Sequence, residues 1–155
     1  MFKRIMVAVD TSKSANSALA KAIKLAKEQK AKLCIIHVID YSPLMMGGEG
    51  INIEALQKST KDLGQIILNR AVARAKRKGM KAETRLIDKS GESMSHIAAM
   101  IIKTAKKWRA SLLVVSSHAY KGVSRIMLGS VAEEIIRNTN IPVLLIQPGK
   151  SAPTK

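Results

Sequence analysis

Cysteine is nearly absent. Cys34 is the single one in 155 residues, so no internal disulfide framework can form, and its place in an apolar run fits a reducing compartment. Aromatic residues make up 3% of the chain, too few for the stacking platforms that grip single-stranded nucleic acid. No apolar run reaches the ~20 residues of a membrane-spanning helix, and the opening MFKRIMVAVD lacks the long apolar stretch of a signal peptide. A cytoplasmic protein without membrane attachment is expected. Acidic residues are scarce too: 11 Asp and Glu stand against 27 Lys and Arg, a formal charge of +16. Such a field draws anions, nucleic acids and anionic surfaces. The cations are spread along most helices, as in any lysine-coated domain, so nucleic acid is expected only as a non-specific partner.

What is present is a regular alternation. A chain of this length is most simply one domain, able to bury roughly 70% of its unfolded surface. Lys3 to Val9 reads as a strand apolar on both faces, ending at Asp10, with Thr11 and Ser12 as helix-cap candidates. A helix to about Lys30 carries the stripe Ala15, Ala18, Leu19, Ala22, Ile23 and Ala26. Leu33 to Ile39 is a second buried strand, and the strand–helix–strand order implies a parallel pair. Tyr41 to Gly50 is a Gly/Pro/Met-rich loop. Ile53 to Lys78 is the longest helical pattern, with Gly79 as its stop and Gly64 as an internal weak point costing ~1 kcal/mol relative to Ala. Lys81 to Ile87 is a third strand and Ser90 to Ser93 a turn. A helix follows over Ser95 to Arg109 with the stripe Ile97, Met100, Ile101, Thr104, Ala105 and Trp108. The pattern predicts an α/β fold: an open five-stranded parallel sheet, Rossmann-like, with helices on both faces. Residues 1–147 form the domain and 148–155 a polar tail.

The stretch from Leu112 to Ile146 organises the rest. An apolar run, Leu112 to Val115, ends in Ser116 and Ser117. A loop rich in Lys, Gly, Ser and Arg follows, Gly129-Ser130 opens a short helical pattern, and Pro142 to Ile146 returns to a strand. Loops at the carboxyl ends of parallel strands bind ligands, and a helix opening on Gly-Ser presents backbone N–H groups suited to phosphate. Lys121 and Arg125 in the loop can neutralise phosphate oxygens. His37, His96 and His118 show no metal-ligand spacing; His118 is the one placed to touch a ligand. No nucleophile elbow or paired carboxylates argue for hydrolysis, so an enzyme is not expected beyond slow hydrolysis of a bound nucleotide. The last strand is apolar and begins with Pro, as an edge strand can. An open apolar edge is a pairing hazard, which predicts a homodimer through Val143 and Leu145.

AVDTSKSANSAL at 8–19, HVID at 37–40 and GVSRIMLGSVAEEIIRNTNIPVLLI at 122–146 resemble the universal stress protein family. The resemblance implies strand order 3-2-1-4-5, dimerisation through the last strand, and a stress-response role as sensor or regulator. One branch of the family binds ATP, with Mg2+ as a possible companion ion, and carries G-x2-G-x9-G-[ST] after the fourth strand. Counted back from Gly129-Ser130, its first two glycines fall on Ser116 and Ala119 here, where a Cβ can obstruct positive φ or ligand approach. With the loop residues His118 and Arg125 added to those the resemblance implies, the candidate nucleotide set is Ala8, Asp10, Val38, Val115, Ser116, His118, Ala119, Arg125, Gly129, Ser130 and Val131. Asp10 would meet the nucleoside, and Val38 would meet the adenine through its backbone. The alternative is a dimeric interaction module that contacts protein or acidic polymers and binds no nucleotide.

Overall fold

The computed structural model describes residues 1–41, 47–88, 97–117 and 128–147. Five strands alternate with four helices: β1 (Arg4–Ala8), α1 (Lys13–Gln29), β2 (Lys32–Val38), α2 (Ile53–Arg77), β3 (Ala82–Ile87), α3 (Ile97–Trp108), β4 (Leu112–Ser116), α4 (Ser130–Asn138) and β5 (Val143–Ile146). All pairings are parallel, in the order β3-β2-β1-β4-β5. The fold class and strand order expected from the sequence are those observed. The turn expected at Ser90 to Ser93 and the tail at 148–155 lie outside the described residues.

The central strands are continuous apolar runs because both their faces are covered. Ile5, Val7, Leu33, Ile35, Leu112 and Val114 point to one side, where Leu19, Ala22, Leu68 and Ala75 of α1 and α2 pack. The alternate residues Met6, Cys34, Ile36, Leu113 and Val115 point to the other, against Ala98, Ile101 and Ala105 of α3 and Ala132 and Ile135 of α4. Alanines dominate the contact face of α1, which lets its backbone approach the sheet closely.

The stripe expected on α3 is out of phase with the buried one. Ala98, Ile101, Ile102, Ala105 and Trp108 are buried, whereas Ile97, Met100 and Thr104 are only half-buried. The apolar arc of this helix is broad, and the small Ala98 wins the place against the sheet. Trp108 closes the far end: its Nε1–H donates to Glu83 Oε2 at 3.0 Å, and the Arg4 guanidinium lies 4.1 Å from its ring centre.

Gly64 is more than a weak point. A Cβ there would meet Leu86 Cδ1 at 2.9 Å and His37 Cδ2 at 3.0 Å, so the missing side chain is what seats α2 on β2 and β3. Gly79, at φ +71°, stops α2 as expected. Cys34 is fully buried and its thiol is pushed up to about 11, first by burial, with Glu83 adding and Arg85 and Arg4 opposing. Among the described residues no helix is long and apolar enough to cross a membrane.

Candidate functional site

From β1 the chain moves outward through β2 to β3, then crosses back so that β4 and β5 lie on the other side of β1. The reversal opens a crevice beyond the carboxyl ends of β1 and β4, the usual ligand position in open α/β sheets. The sequence places its candidates around this point.

On the β1 side, Ala8 ends the strand and the Val9 N–H donates to the Ile36 carbonyl at 2.9 Å. The exposed Asp10 then turns the chain: its Oδ1 accepts from the Ser12 N–H at 2.7 Å. Ser12, not Thr11, caps α1, its Oγ accepting from the Ala15 N–H at 3.1 Å. Asp10 thus shapes the turn ahead of the cap and is not the cap itself. His37 braces the same turn from β2, with its Nδ1 2.7 Å from the Val9 carbonyl oxygen. A carbonyl only accepts, so Nδ1 carries the proton and the tautomer is fixed. His37 is half-buried, and its work is to hold the turn.

On the β4 side, Val115 is buried and Ser116 is the last residue of the strand, paired with Ile146. Because Ser116 is extended, replacement of glycine there carries no backbone strain. Ser117 continues the ladder, its N–H donating to the Ile146 carbonyl at 2.9 Å. Its hydroxyl is buried and finds no hydrogen-bond partner among the described residues. Sequence reasoning did not single it out, because one serine at a strand end gives no signal of burial. An unsatisfied hydroxyl costs on the order of 1–3 kcal/mol, and this one lies at the same end of the sheet as the other candidates.

The third wall is α4. Gly129 precedes it at φ −61° and ψ 148°, an ordinary extended cap geometry, and has no side chain to accept from the first-turn N–H groups. Ser130 is exposed and Val131 half-buried against the α3–α4 side of the core. Glu133 is drawn away to Arg137, with Oε1 2.9 Å from Nη2. The helix therefore offers backbone amides and the positive end of its dipole. Val38, half-buried, ends β2. His118, Ala119, Lys121 and Arg125 lie outside the described residues, as does His96.

Beyond β2 the rim is locked by contacts that sequence spacing could not reveal. The Tyr41 hydroxyl donates to Asp88 Oδ1 at 2.8 Å, and Lys61 Nζ of α2 stands 3.3 Å from Asp88 Oδ2. Burial, then the hydrogen bond and the charge of Asp88, push the Tyr41 phenol up to about 12. A raised phenol favours the neutral form, so this contact holds through neutral pH and weakens as pH climbs from about 10 to 12. In a Tyr120→Phe variant, phenolate absorbance should rise with a midpoint near 12, and adding Asp88→Asn should bring it down toward 10. A midpoint near 10 before Asp88 is changed would show that the lock does not form.

Among the described residues, no group of three His, Cys, Asp or Glu side chains is placed to hold a metal ion.

A sequence profile of the universal stress protein family matches residues 1–147. A universal stress protein of Methanocaldococcus jannaschii is 32% identical over 151 residues, covering 97% of this chain and 85% of the relative. The crystal structure of a universal stress protein family member from Burkholderia pseudomallei superposes with a TM-score of 0.72 at 29% identity, covering 92% of this chain and 94% of that one. The universal stress protein of Archaeoglobus fulgidus, solved in complex with dAMP, gives a TM-score of 0.64 at 24% identity, covering 93% and 97%.

Proposed function

The chain belongs to the universal stress protein family, and we propose that it binds an adenine nucleotide, ATP with Mg2+ in the first instance, as a sensor or regulator. One observation carries the reading: the amides opening α4 at Gly129 and Ser130 carry no side-chain cap and lie at the switch point beside the Asp10 turn. The phosphates would take the amides of Ser130 and Val131, and Asp10 would accept from the ribose hydroxyls. Val38 would meet the base through its backbone, while Ala8, Val115 and Ser116 would line the crevice. His118, Ala119 and Arg125 would complete the set from the loop. The dAMP complex of the Archaeoglobus fulgidus protein supports an adenine nucleotide over another anion. The +16 charge would raise the local concentration of any polyanion.

Calorimetric titration of the nucleotide-free protein with ATP, ADP and AMP tests this. Saturable one-to-one binding is expected, and heats indistinguishable from dilution would end the reading. Ser116 and Ala119 stand where the ATP-binding branch has glycine, and their side chains would narrow the crevice. Replacing both by glycine should tighten ATP binding about tenfold, ~1.4 kcal/mol. An unchanged affinity would mean that those side chains do not face the ligand.

The working unit would be a homodimer joined at β5. The two sheet edges are built differently. The β3 edge carries Glu83, Thr84 and Arg85, all exposed, which discourage pairing. The β5 edge is Val143-Leu144-Leu145-Ile146, with no charge. Val143 and Leu145 pack toward the α3–α4 side and Leu144 and Ile146 toward α1 and α2, so a partner would meet the backbone of the edge. The carbonyls of Pro142 and Ile146 face β4; by alternation the N–H of Leu145 faces outward. Leu145→Pro should therefore convert the dimer to monomer in light scattering while the circular dichroism spectrum stays α/β. A persistent dimer would place the interface elsewhere.

A further inference from the structure

A parallel α/β fold sorts its residues by end. The crevice lies where strands finish and helices begin. The opposite end gathers strand starts and helix finishes, and there the positive charge is concentrated. Lys3, Lys32 and Lys81 stand at the starts of β1, β2 and β3, all exposed. Register sets them side by side, since Arg4 pairs with Lys32 and Leu33 with Ala82, with neighbouring strands about 5 Å apart. The ends of α1 and α2 converge on the same surface, where Lys27 Nζ donates to the Lys78 carbonyl at 2.7 Å.

Two features separate this patch from ordinary helix finishing. Cations in last helical turns answer the helix dipole, but strand starts have no comparable dipole, and like charges on adjacent strands repel. Moreover, the left-handed stop that Gly79 makes after α2 at φ +71° is made by Lys30 after α1 at φ 51° and by Arg109 after α3 at φ 57°. Glycine takes this conformation without steric penalty. Two cations therefore occupy backbone sites that local stability would assign to glycine.

We infer that this basic end is a docking face for the phosphate backbone of duplex nucleic acid, gripped without regard to sequence. The three strand starts span roughly 10 Å. A duplex carries one charge per ~1.7 Å of axis, so on the order of three phosphates on its near side fall within reach. The patch suits backbone contact and little else. Among the described residues the exposed large apolar side chains are Met1, Ile51, Ile53, Leu63, Ile66 and Ile136. Only Met1 and, in the last turn of α4, Ile136 lie at this end, and two single side chains make no apolar face to enter a lipid surface. Trp108 is buried, so no indole is offered for base stacking. The inference does not depend on what the crevice binds.

The test is fluorescence polarisation of a labelled random-sequence duplex of about 20 base pairs in rising salt. Log affinity should fall against log salt with a slope of about −3. Exchanging Lys32, Lys78, Lys81 and the exposed Lys76 in the last turn of α2 together for glutamine should weaken binding at least ~30-fold at about 0.1 M salt and bring the slope near −1. Exchanging Lys13, Lys21, Lys58 and Lys103, which removes equal charge elsewhere, should weaken it less than about threefold. If the first variant melts early, the pair Lys78→Gln and Lys81→Gln carries the same comparison. Equal losses from both sets would reduce the patch to general surface charge. Absence of duplex binding at about 0.05 M salt, or displacement of the duplex by vesicles rich in anionic lipid, would overturn the inference.

Discussion

Gly129→Asp should abolish nucleotide binding while raising the melting temperature. The residue already holds the extended geometry of a helix cap, at φ −61° and ψ 148°, so aspartate enters without strain. Its carboxylate would accept from the Val131 or Ala132 N–H, gaining a few tenths of a kcal/mol over glycine as a cap. The dipole would add about 0.3–1 kcal/mol, which for a chain of this length amounts to a rise of about 2–3 °C. The same carboxylate takes the amides proposed for phosphate and sets a negative charge where the phosphate would lie. A loss of at least ~100-fold, ~2.7 kcal/mol, is expected in calorimetry. Gly129→Asn, a cap without charge, should fall between. Affinity that survives Gly129→Asp in a stabilised protein would move the phosphate away from α4.

Gly64→Val is the second large effect, and it acts on the fold beneath the site. By helix propensity alone, replacing glycine should help by up to ~1 kcal/mol. Packing reverses the sign. The first added carbon would sit 2.9 Å from Leu86 Cδ1 and 3.0 Å from His37 Cδ2. The Leu86 methyl can swing aside, but the His37 ring is held by its bond to the Val9 carbonyl. Alanine should be close to neutral, since propensity offsets a small shift. Valine adds two more methyl groups and should lose about 2–3 kcal/mol, lowering the melting temperature by about 5–10 °C. Thermal unfolding that leaves the valine variant as stable as the parent would mean that α2 does not rest on His37.

Legibility in the sequence followed the physics of each element. β1, β2 and β4 were readable because strands covered on both faces are unbroken apolar runs, and α1 because its alanine stripe is narrow. Gly79 was readable because a left-handed stop has a residue preference. The phase of α3 was not, since a helix apolar over a wide arc does not say which residue meets the sheet. Gly64 looked like a defect because its reason lies in Leu86 and His37, far along the chain. The Tyr41–Asp88 contact joins residues 47 apart, and no period connects them. Candidate site residues were found by motif where the motif is local, at Gly129 and Ser130. The division of labour between Asp10 and Ser12, and the buried Ser117 hydroxyl, depend on hydrogen bonds that a sequence does not record.

Two sites for anions are proposed on opposite ends of one sheet, so the deciding observation must say where ATP goes. Nuclear magnetic resonance of the 15N-labelled protein titrated with ATP and Mg2+ reads this residue by residue. The backbone amides of Ser130, Val131 and Thr11 should shift along saturating curves with one common dissociation constant, while those of Lys32, Lys81 and Arg109 stay still. Shifts confined to Lys32, Lys81 and Arg109, or none at Ser130 and Val131, would contradict a nucleotide site in the crevice.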